Sequence, residues 1–249
     1  MVRVGYVVDL HFVTIFPDLF RAALNSGMLG AAAKKGVARY HIVNVRDFAE
    51  DQYGTVDDYP YGGGPGMVLM APPIVKAVES VRTGDEGDES PVILLSPCGR
   101  VFHQAKACEL AQKRKIVFIC GRYKGVDERV NDLVVTEILS IGDYIVSGGE
   151  LPALVIADAV VRNLPGVLGD ERSRETDSFS REREFSLDAA YYTRPSEFRG
   201  LGIPEVLLSG NHAKIDEWRE ASARERTRRY RPDLFARVRR EGTEEQEQG

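Results

Sequence analysis

The chain has 249 residues, with 33 Lys and Arg against 38 Asp and Glu, so its formal net charge at pH 7 is -5. That balance excludes a globally basic nucleic-acid coat, and 43% hydrophobic with 29% charged residues excludes wholesale disorder and a membrane-embedded class. A chain of this length forms one large domain or two smaller ones and can bury a core without disulfide or metal staples.

In chain order, an apolar β-branched run over residues 7–15 predicts the first strand. It carries Asp9 and His11 where a signal peptide would be apolar, and no stretch of the chain approaches the roughly 18 apolar residues of a membrane span. A cytoplasmic location follows as the default. A helix opened by Pro17 is predicted over residues 17–34, a strand over 40–45, a helix over 73–81, a strand over 92–95, a helix over 102–113, a strand over 116–120 and a helix over 151–164 stopped by Pro165 and Gly166. Alternating strands and crossover helices predict an α/β fold with a mostly parallel sheet.

The composition changes at residues 169–176, eight positions with no large apolar side chain and alternating charge. Such a segment cannot bury itself, which predicts an exposed linker between a domain over residues 1–168 and a second over 177–249. The second is turn-rich at first, then helical over about 212–227 and 232–240, so a small helical domain is expected. Over residues 212–240 ten Lys and Arg face five Asp and Glu, whereas residues 241–249 add four glutamates and no base. A solvated helix face with an acidic tail explains this as well as a polyanion site does. Trp218, Tyr230 and the nearby arginines leave RNA contact open, because aromatic and guanidinium planes stack on bases.

Cys98, Cys108 and Cys120 are odd in number and lack a CxxC spacing, which predicts buried thiols rather than disulfides or a zinc knuckle. His11, His41, His103 and His212 are scattered, so no metal-ligand cluster is predicted. Four glycine-bearing loops stand out: Tyr61-Gly62-Gly63-Gly64-Pro65-Gly66, Cys120-Gly121-Arg122-Tyr123-Lys124-Gly125, Ile141-Gly142-Asp143-Tyr144 and Ser147-Gly148-Gly149-Glu150. None matches a nucleotide-phosphate loop. A single loop of this kind is a tight turn; several at the ends of consecutive strands predict a ligand crevice.

These segments, with Asp57-Asp58-Tyr59-Pro60, Leu95-Ser96-Pro97, Pro165-Gly166-Val167-Leu168-Gly169, Asp177-Ser178-Phe179, Tyr192-Thr193-Arg194-Pro195 and Ser209-Gly210-Asn211-His212, resemble in order those of the bacterial tRNA (guanine-N1)-methyltransferase family, TrmD, of the SPOUT superfamily. The resemblance runs from about Phe16 to Arg231. It implies an α/β domain with a deep trefoil knot, a linker and a helical C-terminal domain. It also implies S-adenosyl-L-methionine as methyl donor, guanine 37 in the tRNA anticodon loop as target, and a homodimer whose active site lies at the subunit interface. Magnesium is suggested without a site.

Carried over by position, Asp177 is the implied general base and Arg162 its partner, stabilising charge that develops on guanine O6. Without the resemblance, Asp177 reads as a helix N-cap and Arg162 as a complement to a helix C-terminus. The implied donor-binding residues are Pro97, Gly121, Ile141, Gly142, Asp143, Tyr144, Ile145, Val146, Gly148 and Gly149. Glycine-rich backbone suits the uncharged adenine edge, and apolar side chains suit its faces; the plainer reading places residues 144–146 in the core. Asp57, Gly66, Arg162, His212, Lys214 and Arg219 are expected to meet the RNA. Lys124 stands where the family usually has Glu, the N-terminus is some seven residues longer than usual, and the tail beyond Arg240 matches nothing. The alternatives are a related knotted methyltransferase acting on another RNA position and a non-catalytic RNA-binding protein.

Overall fold

The computed structural model describes residues 7–82, 90–169, 176–181, 183 and 186–236. The chain divides into two compact units, Met1–Gly169 and Asp170–Gly249.

The first unit is built on a five-stranded sheet of order β2-β1-β6-β5-β7, formed by β1 (Val8–Thr14), β2 (Ala38–Asn44), β5 (Val92–Val101), β6 (Lys115–Cys120) and β7 (Glu137–Ser140). All four pairings are parallel. Alternation along β1 sends Val8, Leu10 and Phe12 to one face and Val13 and Ile15 to the other, each into its own buried cluster. The helices are α1 (Asp18–Leu24), α2 (Gly27–Lys34), α3 (Ala71–Val81), α4 (Gln104–Leu110), α5 (Arg129–Leu133) and α6 (Glu150–Val161). Ala153, Ile156, Ala157, Val160 and Val161 of α6 join the first cluster, while Ile74, Ala77 and Val78 of α3 join the second. Helices therefore cover both faces of an α/β sheet.

Several expected boundaries move for local reasons. The helix expected over 17–34 is two helices. The Asn25 amide donates back to the Arg21 carbonyl and the Ser26 hydroxyl to that of Ala22, Ser26 is extended, and Gly27 turns at φ 56°. α3 begins earlier than residue 73 because Pro72 and Pro73 fit the first turn, where no N–H is needed. β5 extends past Leu95: residues 96–99 leave the ladder and Arg100 re-pairs with Leu139. β7 was not anticipated; four residues without clear alternation carry no strand signal. A two-residue ladder joins β3 (Asp57–Asp58) and β4 (Val68–Leu69). Of the cysteines only Cys120 is buried, its thiol pushed well up by burial and the Glu150 carboxylate; Cys98 and Cys108 are exposed, against expectation.

The second unit holds a short antiparallel pair, β8 (Glu197–Phe198) and β9 (Leu201–Gly202), then α7 (His212–Tyr230) and α8 over residues 232–236. Asn211 caps α7 by accepting from the Lys214 N–H, and only Ile215, Ala223 and Thr227 are buried along its 19 residues. Such a narrow apolar stripe is supplemented by polar side chains. Thr227 Oγ1 accepts from Leu187 N–H, Ser222 Oγ accepts from Ala190 N–H, and Arg226 Nε donates to the Asp188 carbonyl, fixing the segment beside it. The expected helix over 232–240 is seen to residue 236; residues 237–249 and most of the expected linker, 170–175, lie outside the described residues.

Candidate active site

Residues 95–98, where β5 leaves its ladder with β7, and the loops that follow β6 and β7 line a cleft of about 450 Å³. Its position, beyond the carboxyl ends of parallel strands, is where open α/β sheets bind ligands. The walls include Leu95 to Cys98, Gly121 to Val126 and most of residues 139–149.

Backbone approaches that only glycine permits bring these loops together. A Cβ on Gly149 would lie 2.7 Å from Cys120 Cα, and its N–H donates to the Gly121 carbonyl at 2.9 Å. A Cβ on Gly99 would lie 2.6 Å from the Ile138 carbonyl carbon. The 140–144 turn closes on itself: Ser140 Oγ accepts from the Gly142 N–H, Gly142 adopts φ 140°, and the Tyr144 ring folds back over the space its missing side chain leaves.

A buried charge network braces the same loops. Glu150, whose side chain is 1% exposed, accepts from Thr14 Oγ1 at 2.8 Å and from Arg122 Nε at 2.9 Å. Arg122 also donates to the Ser147 carbonyl and lies 4.4 Å over the Phe16 ring. Glu150, Arg122 and Thr14 are not among the site residues expected from the sequence. An acidic residue opening an apolar helix directly after Gly148-Gly149 was the available signal, since a buried carboxylate needs partners.

Of the ten residues expected at the donor site, Pro97, Gly121, Ile141, Gly142, Tyr144, Ile145, Val146, Gly148 and Gly149 line the cleft, and Asp143 is not among its walls. Tyr144 and Ile145 are 56% and 81% exposed and Val146 is exposed too, which corrects the plainer reading of residues 144–146 as core. Apolar side chains left uncovered at a cleft mouth are available to the face of a flat ligand.

The Asp57 and Gly66 region is tied to the same loops. Asp57 pairs with Leu69 in the β3–β4 ladder; Leu69 N–H donates to the Gly125 carbonyl and Lys124 N–H to that of Met67. Arg162 is the C-cap residue of α6, the position its dipole-complement reading requires. Asp177 belongs to the second unit and lies in a turn, its carbonyl accepting from Ser180 N–H, rather than at the N-cap of a helix. Phe179 beside it holds φ 66°, rare for an aromatic residue, with its N–H bonded to the Ser186 carbonyl and the Arg231 guanidinium 5.8 Å over its ring. His212, Lys214 and Arg219 lie exposed on α7, where Arg219 pairs with Asp216.

Residues 8–237 match the family model described as tRNA (Guanine-1)-methyltransferase TrmD. The tRNA (guanine-N(1)-)-methyltransferase of Moorella thermoacetica is 51% identical over 226 residues, covering 91% of this chain and 89% of that protein. Those of Bacillus subtilis and Chlorobaculum tepidum are 48% and 46% identical, covering 92% and 96% of their own lengths. The chain belongs to the TrmD family of tRNA (guanine-1)-methyltransferases.

Proposed function

We propose that this family member transfers a methyl group from S-adenosyl-L-methionine to N1 of guanine 37 in the anticodon loop of tRNA. The observation that carries this reading is the cleft between the break in β5 and the loops after β6 and β7, lined by nine of the ten residues that the sequence motifs assign to the donor. Its volume of about 450 Å³ is in the range of small-ligand pockets, and its walls combine glycine backbone with uncovered apolar side chains. Both features fit an adenosine, which needs backbone donors and acceptors at its edge and apolar cover on its faces. When bound, S-adenosylmethionine supplies an electrophilic methyl on a sulfonium sulfur.

Guanine N1 carries a proton at neutral pH, so a base must take it as the nitrogen attacks. We assign that role to Asp177, and to Arg162 the stabilisation of negative charge growing on guanine O6. The turn is pinned directly after Asp177, by Ser178 Oγ accepting from Asp188 N–H and by Phe179 at a strained φ, a preorganised setting for a reacting carboxylate. Asp57 and Gly66 would face the target base, and His212, Lys214 and Arg219 the tRNA backbone. The domains of this reading are a methyltransferase domain over residues 1–168, a linker over 169–176 and a tRNA-binding helical domain over 177–249.

The knot of the family would pass through the three close-packed loops, whose approach at Gly149 and Gly99 leaves no room for a side chain. Homodimerisation is supported by α6, on which Leu151 and Val155, 54% and 52% exposed, continue into Asp158 and Arg162 on one helix face. An apolar stripe ending at Arg162 is suited to an active site shared between two subunits. Among the described residues no group of three or more His, Cys, Asp and Glu is arranged to hold a metal, and no helix is long and apolar enough to cross a membrane. Magnesium dependence and a cytoplasmic location belong to the proposal through the family.

The test is transfer of labelled methyl to undermodified tRNA followed by nucleoside identification. 1-Methylguanosine is expected; a ribose-methylated product would favour the related knotted enzyme, and tRNA binding without transfer a non-catalytic protein. Asp177→Ala should cut turnover at least about 100-fold with affinity for the donor retained, and Arg162→Ala should lower turnover more than affinity.

A further inference from the structure

The cleft walls carry three charged side chains: Arg122, Lys124 and Glu128. Arg122 is committed to Glu150 and the Ser147 carbonyl, and Glu128 accepts from the Asn131 amide. The Lys124 ammonium makes no ion pair or hydrogen bond among the described residues. Its stem is nevertheless placed. The Lys124 N–H donates to the Met67 carbonyl at 3.1 Å, and the chain then lies over Gly66, where a Cβ would come within 3.2 Å of Cγ and 3.5 Å of Cε. Gly66 at φ 92° thus serves as the floor for the lysine stem.

We propose that Lys124 binds the carboxylate of the methyl donor and makes this cleft selective for donors that carry one. The inference rests on the proposed methyl-transfer function. S-adenosylmethionine ends in an amino acid whose carboxylate must exchange water for a cation or N–H donors on entering a cleft. Lys124 is the uncommitted cation on these walls, and Glu128 adds a carboxylate of opposite sign, so the cleft matches the charge pattern of that amino acid. A charge-assisted contact of this kind, partly open to water, corresponds to about a tenfold change in affinity.

The experiment measures, by calorimetry, the affinity of S-adenosylmethionine and of its decarboxylated counterpart, which keeps the sulfonium and amine. The wild type should favour the carboxylated donor about tenfold. Lys124→Ala should bind both alike, Lys124→Arg should keep the preference, and Lys124→Glu should reverse it. Equal losses for the two donors in Lys124→Ala, or no loss, would overturn the proposal. So would intact donor discrimination with weakened tRNA retention in a filter assay, which would put the ammonium on a phosphate. A wild-type protein that binds neither donor would instead sink the methyl-transfer reading itself and this inference with it.

Discussion

Two polar clusters sit at opposite ends of β1, and their construction differs. At its C-terminal end Thr14 meets Glu150 and Arg122 in a buried network where each carboxylate oxygen has a donor. Over its first half Asp9 and His11 lie beside Arg39 and His41 of β2, with Asp9 bound by Arg39 at 2.6 Å and by His41 at 2.7 Å. There His11 stacks on His41 at 4.4 Å, and its buried Nδ1 has no hydrogen-bond partner among the described residues. A closed network in low dielectric fixes backbone, so it stands where three loops must be held to shape a cleft. The open cluster fixes little, and its incompletely satisfied imidazole answers to pH instead.

The largest effect expected from that contrast is at Glu150. Glu150→Ala leaves a guanidinium that is 16% exposed without its counter-charge and loosens Arg122, which holds the Ser147 carbonyl. Breaking a buried pair from one side costs about 3–5 kcal/mol, and donor affinity should fall with it. Urea unfolding measures the first and calorimetry the second. A loss under about 1 kcal/mol would place this network with ordinary surface pairs and remove the distinction.

Gly149→Ala tests the same loops without touching a charge. The new methyl meets Cys120 Cα at 2.7 Å and Gly121 N at 3.0 Å, backbone atoms that yield only if the loops separate. Overpacking of this kind costs about 1–3 kcal/mol, and the cleft should lose more than about tenfold in donor affinity, since small misplacements at a site are costly. Gly169→Ala, with no atom of the described residues within 4 Å of its Cβ, is the control and should change stability by less than about 0.5 kcal/mol.

These two positions show what the sequence made legible. The strands are legible in β-branched runs, and the cleft in the glycines after β6 and β7 together with the family motifs. Gly148-Gly149 could be read as a tight turn near a ligand, but not as the contact that admits Cys120, because that approach joins residues far apart in the chain. Arg122 and Glu150 were visible as members of motifs, yet their pairing depends on two loops meeting in space, which no periodicity encodes. The break between α1 and α2 is not legible because Asn25 and Ser26 compete with the helix through side-chain bonds that propensity treats as mild. β7 is not legible because four residues without clear alternation carry no strand signal, and only their pairing with β5 makes them a strand. The exposure of Tyr144 and Ile145 was hidden by their apolar character, which reads as core until a cleft is known to lie beside them.

The smallest effect is at the open cluster. Burial, then the neighbouring His41, holds the His11 imidazole down at about 4 against an ordinary value of 6.5. In the unfolded chain the ring takes up a proton as pH falls through 6.5, whereas in the fold it stays neutral until about 4. Stability is therefore unaffected by His11 above about pH 6.5 and declines between 6.5 and 4. Asp9 is separable: burial raises its pKa, but its bonds to Arg39 and His41 outweigh that and hold it below 3.8, so its contribution is lost only at still lower pH. His11→Leu should leave urea stability at pH 7.5 within about 1 kcal/mol of wild type. It should also remove about 1–2 kcal/mol of the loss seen at pH 4.5, less than the full shift would supply because the ring is partly open to solvent. Donor affinity should not move, since His11 does not line the cleft. An unchanged slope between pH 6.5 and 4 would mean that the ring protonates in the fold as readily as in the unfolded chain, and the unpartnered imidazole would then cost nothing at low pH.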